Sequence, residues 1–441
     1  MSNSVIIKNK INKFNKTIEV SGDKSISIRC VLLASQAIGK SKIYNLLESE
    51  DVISSLKSIK KLGIKYKKKK NYHEIYGYGL NGFNTKKKIT IDAGNSGTLA
   101  RLILGLLVNS KNEVTVIGDK SLSKRDFSRI TEPLKNFGVK IKSKNKFLPV
   151  KILGNEFLRP ISYIEKIGSA QCKSAVMLAA LKTPGITNIK AKKSRNHSEL
   201  LFKSLNLPIK VKKKKEFDYI QISGNTDFNC FNYSVPGDIS SCSFFLVLTL
   251  LSNNSNLLIR NVNINHTRTG IITILNRMNA NIILQNKRLY KGELISDISV
   301  KSKSNLKAIN CPENLNSSAI DEFLVIFLAA AKAKGVSKFY NLSELNKKES
   351  PRLNIAVNFL RKIGIKVTKK KDNIKIYGNP KLNLSGNFKV KNFNKDHRVF
   401  MMSCVAALAF GGTWKIYDKD STDTSFPNFF KLIKLLGAKI N

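Results

Sequence analysis

The chain has 441 residues, 42% of them apolar and 24% charged, with a formal net charge of +47. That length is enough for two or three domains with a sizeable core, and the composition excludes wholesale disorder. The longest apolar runs, Phe244–Leu251 and Phe323–Ala331, fall far short of the ~20 residues a bilayer-spanning helix needs, so no membrane segment is expected.

The N-terminal stretch is rich in Lys and Asn, lacks an apolar h-region, and reaches a polar motif already at Gly22, which leaves little room for a removable targeting peptide. A cytoplasmic location is expected. Cys30, Cys172, Cys230, Cys242, Cys311 and Cys404 form no CxxC pair and mostly sit in or beside apolar stretches, so they read as reduced and structural. His73, His197, His266 and His397 show no HxxxH or HExxH spacing, and no metal site is expected.

Along the chain, one pattern of roughly 70 residues recurs six times. The first copy starts at Gly22-Asp23-Lys24-Ser25, enters an apolar helix over Ile26–Ala37, continues as a β-like segment at Lys42–Leu46, and closes with the helix tail Lys61-Leu62-Gly63-Ile64-Lys65. The second starts at Gly94-Asn95-Ser96-Gly97-Thr98, with helix Leu99–Val108, strand Glu113–Ile117 and a tail around Gly138. The third starts at Gly168-Ser169-Ala170-Gln171, with helix Lys173–Leu181, strand Ile186–Lys190 and a tail in which Pro208 stands where others have Gly. The fourth starts at Gly237-Asp238-Ile239-Ser240-Ser241, with helix Ser241–Leu251, strand Asn256–Asn261 and a tail at Ala280. The fifth starts at Ser317-Ser318-Ala319-Ile320-Asp321, with helix Asp321–Ala333, strand Ser337–Asn341 and a tail at Gly364. The sixth starts at Asp396-His397-Arg398, with helix Val399–Phe410, strand Thr413–Tyr417 and a tail at Gly437.

The helices that follow these starts are apolar nearly all round and should be buried. Six copies predict an α/β protein with two pseudo-symmetric halves of three repeats each. Ser, Asp and Asn at the starts are good N-caps, which would explain any one of them. Six buried helices with Lys, Arg or Gln in or near the first turn point further, to a shared anion pocket, since helix N-termini offer free N–H groups and a positive dipole end.

The charge invites a nucleic-acid reading, but Lys67–Lys70, Lys212–Lys215 and Lys369–Lys371 each fall between two β-like stretches and read as solvated hairpin tips. No zinc finger, RNP or aromatic-interleaved basic motif accompanies them, so no nucleic-acid partner is expected. A noncatalytic nucleic-acid-binding protein is the alternative from a different class.

The motif residues resemble the 5-enolpyruvylshikimate-3-phosphate synthase family over essentially the whole chain. The resemblance is carried by Gly22–Arg29, Gly94–Arg101, Ser121–Arg125, Gly168–Val176, Ser194–Glu199, Pro236–Ser241, Asn265–Gly270, Ile320–Glu322, Lys347–Leu353, Asp396–Arg398 and Thr424–Pro427, with a closer likeness to the second bacterial class. It implies a two-lobed enolpyruvyl-transferase fold of six βαβαββ repeats, forming pseudo-symmetric inside-out barrels. One lobe would span 22–236 and the other 1–21 with 237–441, with hinge crossings near 20–22 and 233–238.

The implied reaction moves the enolpyruvyl group of phosphoenolpyruvate to the 5-hydroxyl of shikimate 3-phosphate, with no metal or organic cofactor, in a monomer. The resemblance puts Lys24, Gly97, Arg125, Gln171, Arg352 and Arg398 around phosphoenolpyruvate. It gives shikimate 3-phosphate to Lys24, Ser25, Arg29, Ser169, Ala170, Gln171, Ser194, Arg195, Asp321 and Lys348. Asp321 would accept the hydroxyl proton and Glu349 would protonate and later deprotonate C3, with Lys24 taking part. Both substrates carry phosphate and carboxylate, which Arg forks and Lys ammonium groups suit.

Departures are visible too. Ser350-Pro351-Arg352 stands where the family carries a carboxylate before the Arg, and Asn346 stands where an Arg is common. Thr424 replaces a Lys of the first class, as it does in the second. The rival within the fold, a UDP-N-acetylglucosamine enolpyruvyl transferase, typically has Asn after the first Lys and a reactive Cys in a mobile loop. Here Ser25 follows Lys24, and Gly118–Arg129 contains no Cys. An unobstructed Gly97 predicts inhibition by glyphosate, weakened by Gly97→Ala.

Overall fold

The computed structural model describes residues 3–303 and 305–440. They divide into two compact units: the first is Gly22–Val235 with Tyr290–Glu293, and the second comprises the described parts of Met1–Ser21, Pro236–Leu289 and Leu294–Asn441.

Three buried helices run through the core of each unit: Lys24–Ala34, Gly97–Leu106 and Ala170–Leu181 in the first, Ile239–Leu251, Phe323–Lys332 and His397–Phe410 in the second. Every residue of Ile239–Leu251 and of His397–Phe410 is buried, which is why their sequences show no polar stripe. Each buried Leu, Ile or Phe there contributes about 1.5–3 kcal/mol relative to exposure. The intervening helices are amphipathic. Glu50–Lys61 buries Val52, Leu56 and Ile59, and carries Glu50 and Asp51 in its first turn and Lys60 and Lys61 in its last, each complementing the helix dipole.

The helix tails end as expected at Gly63, Gly138, Gly364 and Gly437, all at positive φ. The other two differ from the sequence reading. Asn206 (φ 54) and Asn279 (φ 68) supply the left-handed residue, one or two positions before Pro208 and Ala280. Asn tolerates that conformation because its short polar side chain bonds locally.

Each repeat owns a small sheet. The second sheet has a first strand Ile89–Asp92 parallel to Val114–Ile117, which is antiparallel to Phe147–Leu153, itself paired with Lys140–Lys144. The third repeats this order with Ser162–Glu165, Ile186–Lys192, Phe217–Ser223 and Ile209–Lys213. The sequence pattern omits that first parallel strand, which precedes each buried helix. In the fifth repeat it shrinks to bridges from Lys307 and Asn310 to Lys334 and Lys338. The Lys runs straddle strand end and tip: Lys65–Lys68, Ile209–Lys213 and Val367–Lys370 are strands, so only the later lysines of each run form the turn.

Two sheets take their first strand from a distant segment. Asn15–Glu19, directly before the first buried helix, pairs in parallel with Asn256–Arg260 of the fourth repeat, in the second unit. Asn232–Ser234, just before the fourth buried helix, pairs in parallel with Lys42–Tyr44 of the first repeat, in the first unit. The sixth sheet is closed by Ser4–Ile7, antiparallel to Trp414–Tyr417, which lies beside the parallel strand Leu384–Val390.

The unit boundaries depart from the sequence expectation at one hairpin tip. Tyr290–Glu293 joins the first unit because Glu293 Oε1 lies 2.6 Å from His197 Nδ1 with both side chains fully buried, and the Tyr290 hydroxyl accepts from Ser234 N at 2.8 Å. Pro236, expected at the end of the first lobe, belongs to the second unit.

Candidate active site

In five repeats the residue before the buried helix caps it with its own side chain. Asp23 accepts from Ile26 N, Ser96 from Leu99 N, Ser169 from Cys172 N, Asp238 from Ser240 N and Asp396 from Arg398 N. The cap residue holds the helix end, and two of the caps, Asp238 and Asp396, also pair with Arg268 and Arg352. The fifth start is different. Its helix begins at Phe323, and the N-cap Glu322 makes no side-chain capping bond.

The first unit carries Lys24, Ser25, Arg29, Gly97, Arg125, Ser169, Ala170, Gln171, Ser194 and Arg195 at its three helix starts and in the segments after its strands. Lys24 Nζ pairs with Asp51 at 3.0 Å, both side chains largely buried. Arg29 is nearly buried and oriented by neutral oxygens: Ser198 Oγ at 2.8 Å, Ser174 Oγ at 3.0 Å and the Ser25 carbonyl at 3.0 Å. Arg125 Nη2 donates to Asn95 Oδ1 at 3.2 Å.

Gln171 bridges the second and third repeats, accepting from Arg101 Nη1 at 2.8 Å and donating to Thr98 Oγ1 at 2.9 Å. Gly97 sits among the same groups. A Cβ there would lie 2.7 Å from Arg101 Nη1 and 3.0 Å from Arg125 Nη1, so any side chain must displace two guanidinium ends. Gly168, at φ +80, brings the Ser169–Gln171 start against the next segment: its Cβ would be 3.1 Å from the Lys193 carbonyl. Beside that carbonyl, Ser194 Oγ is buried with no hydrogen-bond partner among the described residues. Arg195 is half-buried.

In the second unit, Asp321, Lys348, Glu349, Arg352 and Arg398 come together with Asp396. Arg352, 1% exposed, is held by three carboxylates: Asp396 through Nε at 2.8 Å and Nη2 at 3.2 Å, Glu349 through Nη2, and Asp321 through Nη1 at 3.5 Å. Burial alone would lower its pKa, but Asp396, Glu349 and Asp321 raise it, so it stays charged. Burial would likewise raise the Asp396 pKa, yet Arg352 holds that carboxyl below its ordinary value. Lys348 Nζ lies 3.5 Å from Asp321 Oδ1. Arg398 Nη1 donates to the Asp321 carbonyl at 2.8 Å.

The two departures noted in the sequence have local explanations. Pro351 occupies the N-cap of helix Arg352–Lys362, where no backbone N–H is needed. Asn346 Oδ1 accepts from Leu353 N at 3.1 Å and Asn354 N at 3.3 Å, so it satisfies the first turn of that same helix.

Asp51, Arg101, Arg268 and Glu322 belong to these arrays although the sequence reading assigned them no role. Comparing second-helix starts across repeats, as was done for the first, would have brought up Asp51 and Arg268 beside Arg125, Arg195 and Glu349.

This fold, with two polar arrays built at repeated helix starts, is that of the enolpyruvyl transferases. NikO from Streptomyces tendae, an enolpyruvyl transferase, superimposes with a TM-score of 0.78 at 13% identity, covering 100% of this chain and 99% of that one, a likeness of fold alone. The family model for EPSP synthase (3-phosphoshikimate 1-carboxyvinyltransferase) matches residues 8–433, and the chain belongs to that family. A 3-phosphoshikimate 1-carboxyvinyltransferase of Ruthia magnifica subsp. Calyptogena magnifica is 42% identical over 98% of this chain and 97% of its own length. One from Zymomonas mobilis is 37% identical over 98% and 96%. The solved EPSP synthase of Acinetobacter baumannii gives a TM-score of 0.88 at 33% identity over 99% of both chains.

Proposed function

We propose that the chain transfers the enolpyruvyl group of phosphoenolpyruvate to the 5-hydroxyl of shikimate 3-phosphate through the residues of these two arrays. The observation that carries the reading is the pair Asp321 and Glu349, two carboxylates oriented by one buried Arg352. The reaction needs one proton removed and another delivered and taken back, and two such carboxylates can do both. Asp321 accepts the proton of the 5-hydroxyl as that oxygen attacks C2 of phosphoenolpyruvate. Glu349 gives a proton to C3, then removes one as the C2–O bond to phosphate breaks and the enol ether double bond forms. Lys24 takes part, its ammonium close to Asp51.

Phosphoenolpyruvate is assigned to Lys24, Gly97, Arg125, Gln171, Arg352 and Arg398. Shikimate 3-phosphate is assigned to Lys24, Ser25, Arg29, Ser169, Ala170, Gln171, Ser194, Arg195, Asp321 and Lys348. The unpartnered Ser194 hydroxyl supports the second set, since a buried polar atom requires a partner that substrate can supply. The nearly buried Arg29, oriented by hydroxyls, is suited to an anion. The enzyme is taken to work in the cytoplasm as a monomer, without metal or organic cofactor, on these small molecules rather than on nucleic acid.

Phosphate release from phosphoenolpyruvate is expected with shikimate 3-phosphate and not with UDP-N-acetylglucosamine; the reverse preference would sink the assignment. Glyphosate is expected to inhibit in competition with phosphoenolpyruvate, less so in Gly97→Ala. Equal inhibition of both proteins would remove the basis of that expectation.

A further inference from the structure

Glu322 is the one N-cap residue among the six buried helices whose side chain does not cap. It is 1% exposed, and a carboxylate buried that deeply needs charged or hydrogen-bonding partners. They come from the other two repeats of the same unit. Ser240 Oγ of the fourth repeat donates to Glu322 Oε1, and Arg398 Nη1 of the sixth lies 4.0 Å from that oxygen. Behind Ser240 stands Arg268, 2% exposed, whose Nη2 is 2.7 Å from Ser240 Oγ and 3.2 Å from Asp238 Oδ1. The row Arg268, Ser240, Glu322, Arg398 thus crosses all three helix starts of the second unit. It ends on the guanidinium that also donates to the Asp321 carbonyl at 2.8 Å.

We propose that Glu322 is a positioning residue: through Arg398 it sets the guanidinium that receives phosphoenolpyruvate, and through the same guanidinium it steadies the backbone of the neighbouring base Asp321. This rests on the assignment of Arg398 to phosphoenolpyruvate. Two features of Glu322 favour positioning over simple packing. Its charge lies against Arg398, while Ser240 donates to it in turn. It also immediately follows Asp321, so the chain direction that presents one carboxylate outward turns the next inward.

The test is steady-state kinetics of Glu322→Gln, Glu322→Asp, Ser240→Ala and Arg398→Ala, and of Glu322→Gln combined with Arg398→Ala. Loss of the negative charge 4.0 Å from Arg398 in Glu322→Gln is expected to raise KM for phosphoenolpyruvate about tenfold, with KM for shikimate 3-phosphate within about twofold. Glu322→Asp, which keeps the charge, should recover part of the loss. Ser240→Ala, which removes the link to Arg268 but keeps the carboxylate, should give a smaller shift of the same kind. In the Arg398→Ala background Glu322→Gln should add little, because the group it acts through is gone. If Arg398→Ala leaves KM for phosphoenolpyruvate unchanged, the assignment of Arg398 fails. If Arg398→Ala raises that KM and Glu322→Gln does not, or if the two effects simply add, the positioning role is wrong. Should Glu322→Gln not fold, Glu322→Asp and Ser240→Ala still decide: normal kinetics in both would overturn the proposal.

Discussion

The two units are built from the same repeat, and both set a Lys beside a carboxylate, Lys24 by Asp51 and Lys348 by Asp321, yet their arginines have different neighbours. In the first, Arg29, Arg101 and Arg125 are oriented by hydroxyl, amide and carbonyl oxygens. In the second, Arg268, Lys348, Arg352 and Arg398 each stand beside a carboxylate of Asp238, Asp321, Glu349, Asp396 or Glu322. Hydroxyl and amide oxygens can orient an Arg fork for recognition of anions. An Arg held by carboxylates fixes those carboxylates as much as itself, which suits proton transfer. One repeat can therefore surround its Arg with different groups according to which residues follow its strand.

The largest expected effect tests the charge balance of the second unit. Arg352→Met should destabilise the protein by about 3–5 kcal/mol, read by denaturant unfolding, because three carboxylates lose their buried partner. The effect should also depend on pH. The folded pKa of Asp396 is lowered, so the stability it contributes is complete above its unfolded value of about 3.9 and is lost as pH falls through the folded one. The gap between wild type and Arg352→Met should accordingly narrow in acid; a constant gap would mean Asp396 does not supply it.

Next in size, Glu349→Gln should lower turnover by at least ~100-fold with substrate binding largely kept, measured by kcat and equilibrium binding. Near-normal turnover would place the chemistry elsewhere. In the first unit the same kind of change should move affinity instead: Gly97→Ala, by pushing Arg125 and Arg101 aside, is expected to raise KM for phosphoenolpyruvate about tenfold, with turnover little altered. A turnover defect there would blur the division between the units.

The smallest effect concerns a buried lysine. Lys182 donates to the Leu80 carbonyl and to Asn109 Oδ1 at 3.1 Å, and lies 5.1 Å from the Phe83 ring centre, joining all three repeats of the first unit. Burial brings its pKa down to about 7. Between that value and its unfolded pKa of about 10.4 the unfolded chain binds more protons, so stability should rise with pH across the window. Lys182→Met should therefore compare more favourably with wild type at pH 6 than at pH 10; a pH-independent difference would show the amine to be charged where it sits.

Much of this was legible in the sequence because the repeat is written in residue types that local physics requires. The buried helices were visible as all-apolar runs, and the hairpins as β-like pairs around Lys. Four tails declared themselves through Gly, whereas the third and fourth were read at Pro208 and Ala280 although Asn206 and Asn279 supply the left-handed residue. Less legible was anything fixed by long-range pairing. The exchange of Asn15–Glu19 and Asn232–Ser234 leaves no periodic signature, since each is an ordinary short strand whose partner lies far along the chain. The same holds for the candidate site. Helix-start residues stood out by position, but Glu322 was given no role, and its place is set by Ser240 and Arg398, 82 and 76 positions away.

The exchanged strands bear on the order in which the protein is made. Residues 4–19 leave the ribosome ahead of the entire first unit, yet their pairing partners, Asn256–Arg260 and Trp414–Tyr417, are synthesised long after it. The first unit can close once Asn232–Ser234 has emerged, apart from its late hairpin tip, while the leading strands wait unpaired. Residues translated ahead of the first unit are thus among the last to find their place. The composition of Asn15–Glu19 fits the wait: Asn15, Lys16 and Thr17 are polar and exposed even in the finished sheet, a poor template for pairing with another nascent chain.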